Sequence, residues 1–277
     1  MVVWAIANQK GGVGKTTTTV SLGGMLAERG KRVLLIDTDP HASLTYYFNI
    51  DDEDGGATLY DLFMFGKDVS KVQVEEAIRP TRFDNLSVMP ATMALATLDR
   101  KLGPQSGMGL LLRRVRELLK NEFDYILIDV PPVLGVLMIN ALAAAHRVIV
   151  PVQTEFLALK GLDRMMGTLK MVQGSKGLTH EVTIVPTMYD KRTNASLDAY
   201  KQLRKLHGKL VWNGMIPTDT KFRDASTAQT PISFYAKGCR GAFAYNGLLT
   251  NLLAQDEQLG VQRSTAPATQ PVHEGQP

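Results

Sequence analysis

Short runs of β-branched and aliphatic residues alternate along the chain with stretches whose apolar positions recur every three or four residues. Val2-Val3-Trp4-Ala5-Ile6-Ala7 reads as a buried strand. In the stretch 17–29, Val20, Leu22, Met25 and Leu26 fall near helical spacing, and Gly30 stops the helix. A second apolar run at 31–37 completes a strand–helix–strand unit. Further strands are predicted at 86–89, 125–129, 147–152 and 182–186, with helical patterns at 109–120, 137–145, 157–173 and 196–207. Repetition of that unit predicts an α/β fold, a mostly parallel twisted sheet with helices on both faces. Residues 51–84 are the least regular. Their acidic stretch Asp51-Asp52-Glu53-Asp54-Gly55-Gly56 reads as a solvated loop, because the spacing and terminal Glu of an EF-hand are absent.

With 277 residues and 44% apolar content, one large domain is expected over 1–255. From 262 onward Ser, Thr, Ala, Pro, Gln and Gly leave little to bury, so 256–277 is expected to be a disordered tail. The single cysteine, Cys239, permits no internal disulfide and has no companion for a metal site, which fits a reducing cytoplasm. No signal-peptide pattern opens the chain, and the apolar stretch 130–145 is interrupted by Pro131, Pro132, Gly135 and Asn140. It is too short to span a bilayer, so no membrane attachment is expected. Net charge is +4, yet residues 191–240 hold ten Lys/Arg against three Asp. That imbalance predicts a local basic surface.

Candidate chemistry is concentrated where the first strand turns into the first helix, at Asn8-Gln9-Lys10-Gly11-Gly12-Val13-Gly14-Lys15-Thr16-Thr17. Backbone N–H groups of such a glycine-rich turn point into one concavity, and the helix N-terminus adds partial positive charge. Lys15 is placed to reach outer phosphates, and the Thr16 hydroxyl to ligate magnesium. The strict pattern G-x-x-x-x-G-K-[ST] is not met, because Gln9 stands six residues before Lys15 and a second lysine, Lys10, precedes the glycines.

This K-G-G-x-G-K-T-T form resembles the deviant P-loop of the ParA/MinD family of dimeric ATPases, and the resemblance runs over about 1–255. It implies a P-loop NTPase-like fold, ATP and Mg2+ as cofactors, and a nucleotide held by Lys10, Gly11, Gly12, Val13, Gly14, Lys15, Thr16 and Thr17. It also implies that Lys10 reaches the nucleotide of a partner subunit in an ATP-state homodimer. Asp37-Thr38-Asp39-Pro40 ends the second strand, at the sheet edge where ligands bind. With a period of two, both carboxylates project to one side, and a hydrolase needs such a group to orient the attacking water. The family's D-x-D-P-Q-G-N segment carries that role to Asp39, with Asp37 supporting magnesium. Here His41-Ala42-Ser43 replaces Q-G-N. His41 is read either as lining the nucleotide interface or as an exposed loop residue.

Other matches follow in chain order. The strand at 125–129 with Val130-Pro131-Pro132 resembles a Walker B strand, which makes Asp129 a magnesium holder. Residues 151–162 resemble the segment linking site to dimer face, so Glu155 is a candidate subunit contact, a helix cap being the other reading. Thr187, Met188 and Pro217 match segments near the adenine. Arg192 matches a position where ParA-type proteins use an arginine for DNA. On the next helix Lys201, Arg204 and Lys205 are expected to share one face. Lys221 and Arg223 partly compensate for Thr218, where family members often carry an arginine. Such a surface binds phosphates without reading bases, though a solvated basic helix face gives the same pattern.

The resemblance implies a nucleoid-associated positioning ATPase, stimulated by a ParB-like or other partner, that moves a partition complex or a protein assembly such as a chemoreceptor array. The departures at 41–43 and 218 tilt the expectation toward a protein cargo. A second reading is an ATP-switched regulatory protein without DNA contact. One Cys per chain argues against iron–sulfur reductases of this class, and the absence of tyrosine after Tyr245 argues against tyrosine kinases with a tyrosine-rich tail.

Overall fold

The structure is a computed structural model that describes residues 1–50, 56–102, 110–176 and 179–265. The sheet holds β1 (Val2–Ile6), β2 (Val33–Asp37), β3 (Arg79–Pro80), β4 (Leu86–Met89), β5 (Tyr125–Asp129), β6 (Arg147–Gln153) and β7 (Glu181–Thr187). Their order is β3-β4-β2-β5-β1-β6-β7, and every pairing except β3 with β4 is parallel. Central strands need apolar residues on both sides, which is why β1 and β2 read as continuous hydrophobic runs. Val3 and Ala5 enter one core layer, while Trp4 and Ile6 enter the other.

The helices are α1 (Lys15–Glu28), α2 (Ser43–Tyr47), α3 (Leu59–Phe65), α4 (Lys71–Glu76), α5 (Leu98–Leu102), α6 (Leu111–Leu118), α7 (Val136–Ala144), α8 (Phe156–Lys176), α9 (Asn194–His207), α10 (Lys221–Thr227), α11 (Ile232–Tyr235) and α12 (Arg240–Thr265). α3, α6, α7 and α8 pack on the layer of Val3, and α1 and α12 on that of Trp4. Because β1 lies between β5 and β6, the chain leaves it in one direction for β2 and later returns on its other side. The carboxyl edge of β1 is therefore a topological switch point, where an open α/β sheet forms a crevice.

Two regions differ from expectation. The stretch expected to be irregular contains α3, α4 and β3, and both helices begin with a capping box, Thr58 with Asp61 and Ser70 with Gln73. Four of the acidic residues, Asp51 to Asp54, lie outside the described residues. The second difference is at the C-terminus, where α12 continues past the expected boundary at 255 to Thr265. Asp256 accepts from Arg147 Nη2 at 2.6 Å and from Trp4 Nε1 at 2.9 Å. Arg147 is only 2% exposed, so a partner carboxylate is required in that polar last segment. Residues 266–277 of the expected tail lie outside the described residues.

Candidate functional site

The chain leaves β1 into a loop that neighbouring elements hold at three points. Asn8 Nδ2 donates to the Pro151 carbonyl at 2.7 Å, at the end of β6. Gln9 Nε2 donates to Thr168 Oγ1 of α8 at 2.8 Å. Thr187 Oγ1, at the end of β7, donates to the Val13 carbonyl at 2.9 Å. Gly12 and Gly14 adopt φ of +73° and +89°, which L side chains rarely tolerate. A Cβ built at Gly11, Gly12 or Gly14 would meet nothing within 4 Å, so the concavity over the loop stands open. Lys15 folds across it, buried, with Nζ 3.3 Å from the Lys10 carbonyl. Burial pulls its ammonium below the usual lysine range, against the attraction of Asp129 and Asp39. Converging N–H groups, a helix N-terminus and a desolvated lysine suit a polyphosphate.

Strand register then brings the carboxylates together. Asp37 of β2 pairs directly with Asp129 of β5, and Asp129 also pairs with Ile6 of β1, the strand that feeds the loop. Both acids are buried, and burial pushes both carboxyls above the usual carboxylate range, with Asp37 raising Asp129 further. Asp129 Oδ2 accepts from Thr16 Oγ1 at 2.6 Å, so Thr16 and Asp129 present hard oxygen donors at one point. That donor set fits magnesium, which takes few protein oxygens and completes its shell from phosphates and water. Asp37 has a more structural part than expected. Its Oδ2 accepts from Thr45 N–H and hydroxyl at 2.9 and 2.8 Å, and its Oδ1 accepts from Asp39 N–H at 3.0 Å. Asp37 thereby shapes the turn that carries Asp39.

Asp39 is partly exposed, and its Oδ1 accepts from the His41 backbone N–H at 3.0 Å. His41, left open by the sequence between interface and loop, lies exposed with its ring against Asp39. Lys10 points out of the cradle and pairs with Glu155, just ahead of α8. Glu155 is thus tied to Lys10 of the same chain. Phe156 and Leu157 beside Glu155, and Leu134 beside Gln9, are exposed, an apolar rim next to the loop.

Thr187 is 2% exposed, and its hydroxyl is committed to Val13, so its side chain braces the loop. Met188, with φ +52°, is exposed beside it. Pro217 is joined by a parallel bridge to Tyr189, so the structure brings Met188 and Pro217 close together.

The basic residues are more compensated than their sequence suggests. Arg192 forms a two-pronged pair with Asp190, holding that carboxyl down to about 2. Lys201 lies 3.6 Å from Asp198, and Lys221 lies 2.9 Å from Asp224. Arg204 departs from the face shared with Lys201 and Lys205, because its guanidinium donates to the Val211 carbonyl and to Asn213 past the end of α9. Lys205 and Arg223 are exposed. Arg240, which the motifs did not single out, lies near enough to lower Asp190 further and donates to the Thr218 carbonyl at 3.4 Å. Only the charge count over 191–240 pointed to it. The Gln9–Thr168 and Asn8–Pro151 ties had no signal in a single sequence, since both partners are remote. No helix among the described residues is long and apolar enough to cross a membrane.

Comparison with known proteins adds four findings. A family model described as "AAA domain" matches residues 1–184. The chain is 40% identical over 253 residues to the sporulation initiation inhibitor protein Soj of Bacillus subtilis (strain 168), covering 90% of this chain and 97% of that one. It is 38% identical over 257 residues to the chromosome partitioning protein ParA of Caulobacter vibrioides (strain NA1000 / CB15N), covering 92% and 94%. Among solved structures, cobyrinic acid a,c-diamide synthase from Mycobacterium smegmatis, with bound ATP analogue and magnesium, matches with a TM-score of 0.77 at 33% identity, over 93% of this chain and 96% of that one.

Proposed function

The chain belongs to the ParA/MinD family of ATPases, and on that premise we propose that it is a positioning ATPase whose ATP-bound homodimer holds DNA nonspecifically until a ParB-like partner stimulates slow hydrolysis. ATP and magnesium are its cofactors. The observation that carries this reading is the division of labour between two lysines. Lys15 lies over its own cradle, whereas Lys10 is held outside it by Glu155, available to a second subunit.

The roles of the residues follow from their placement. Loop N–H groups and Lys15 bind the β- and γ-phosphates, while Met188 and Pro217 flank the base. Thr16 and Asp129 would hold magnesium, which would neutralise charge developing on the phosphate oxygens. Asp39 accepts a hydrogen bond from the attacking water and sets it in line with the γ-phosphorus. Lys10, released from Glu155, reaches the partner's nucleotide, and the apolar rim of Leu134, Phe156 and Leu157 is covered as two subunits close.

Lys205, Arg223 and Arg240 support DNA contact through phosphates, for which dissociation constants of about 10⁻⁴ to 10⁻⁶ M are usual. A second reading, an ATP-switched regulator without DNA contact, is favoured by the pairing of Arg192, Lys201 and Lys221 with acids. Replacing Lys201 and Lys205 by Glu separates the two in an ATP-dependent DNA-retention assay at low salt. Loss of retention supports the DNA-bound dimer, and no retention in the unmodified protein supports the regulator. The replacements at 41–43 and Thr218 favour a protein assembly as cargo, which localisation of a fluorescent fusion with and without neighbouring genes tests.

A further inference from the structure

The two oxygens of the Asp39 carboxylate have different surroundings. Oδ1 accepts two hydrogen bonds from residue 41, one from its backbone N–H at 3.0 Å and one from the imidazole, whose Nδ1 lies 2.9 Å away. Oδ2 accepts none from the described residues. The geometry is held from both sides. Asp39 N–H donates to Asp37 Oδ1 at 3.0 Å, and Ala42 N–H donates to the Asp39 carbonyl at 2.8 Å, closing a turn with Pro40 at its second position. His41 is 84% exposed and Asp39 17%, so the ring is not packed in place by a core. Its hydrogen-bond partner is the carboxylate it touches.

A carboxylate free to rotate about Cβ–Cγ spends part of its time with neither oxygen on the reacting water. Fixing one oxygen fixes the other. We infer that His41 is a positioning residue for Asp39, its Nδ1–H donating to Oδ1 so that Oδ2 is presented to the attacking water. The imidazole tautomer this requires carries its proton on Nδ1, leaving Nε2 toward solvent. The backbone N–H alone supplies a single bond, about which the carboxylate still swings, so His41 adds the second point of attachment. The inference rests on the assignment of Asp39 to the attacking water, and the two are separable by experiment.

Single-turnover ATP hydrolysis is compared in the full chain and in His41→Ala, His41→Asn and Asp39→Ala, together with nucleotide affinity and ATP-dependent dimer formation. His41→Ala lowers the hydrolysis rate about tenfold, an orientation effect, with affinity and dimer formation within about twofold of the parent. His41→Asn, whose amide nitrogen takes the place of Nδ1, restores the rate to within about threefold. An unchanged rate in His41→Ala, a parallel loss of nucleotide affinity, or an Asn variant as slow as the Ala variant overturns the inference. If Asp39→Ala is inactive while His41→Ala hydrolyses normally, only the role of His41 falls. If Asp39→Ala also hydrolyses normally, the assignment of Asp39 falls with it.

Discussion

Asp37 and Asp129 stand directly opposite each other on adjacent parallel strands, buried, with Asp129 bonded to the first hydroxyl of the loop helix, that of Thr16. Two carboxyls raised by burial, that of Asp129 further by Asp37 and that of Asp37 by Asp39, are complemented by a divalent cation, and Asp129 is the one with a loop oxygen beside it. Asp129→Asn therefore removes the magnesium dependence of nucleotide binding. Titration of a fluorescent ATP analogue shows the parent losing about tenfold or more in affinity with EDTA and the variant losing none.

Ala42 occupies the left-handed region, with φ +54° and ψ 32°, where the related segment carries glycine. A Cβ there costs about 1 kcal/mol, partly offset by the greater freedom a glycine has in the unfolded chain. Ala42→Gly raises thermal stability, by about 2 °C in a chain of this size, as read by circular dichroism melting.

Among the buried groups, His180 Nε2–H donates to the Leu142 carbonyl, 2.7 Å away, and Nδ1 finds no hydrogen-bond partner among the described residues. Burial pulls this imidazole below the usual histidine range. The unfolded chain therefore binds the proton first as pH falls, so stability is full above about pH 6.5 and declines below it, through the window between the unfolded and folded values. His207 is shifted the same way. Urea midpoints at pH 7.5 and 5.5 show a smaller drop in His180→Gln than in the parent.

The last segment of α12 is structural. Asp256→Ala leaves Arg147 buried without its charge partner, and breaking such a pair costs about 3–5 kcal/mol. Truncation after residue 255 has the same effect on the urea midpoint, and truncation after residue 265 leaves it unchanged.

How far the sequence reveals this molecule depends on whether a feature is local. β1, β2, β5, β6 and β7 were legible because buried parallel strands are unbroken apolar runs, and α1, α8 and α9 because they are long enough to show their period. The helices of 59–76 are too short to show a period, and only the capping boxes of Thr58 with Asp61 and Ser70 with Gln73 announce them. The end of α12 is polar and gives no local sign of order, because Asp256 answers a charge 109 positions away at Arg147. In the site, the loop from Lys10 to Thr17 was readable from residue types alone. Side-chain direction was not, so Thr187 faces Val13, and Arg204 leaves the face of Lys201 and Lys205.

In the proposed homodimer, Lys10 is the residue on which a shared nucleotide site depends. Its carbonyl receives Lys15 while its ammonium is held by Glu155 away from its own cradle. Light scattering of the parent and of Lys10→Ala, each with ATP and magnesium and with nucleotide affinity measured alongside, tests that dependence most directly. The parent doubles in mass on ATP, and the variant binds ATP but remains a monomer and does not hydrolyse it. A Lys10→Ala protein that dimerises and hydrolyses ATP as the parent does contradicts the account.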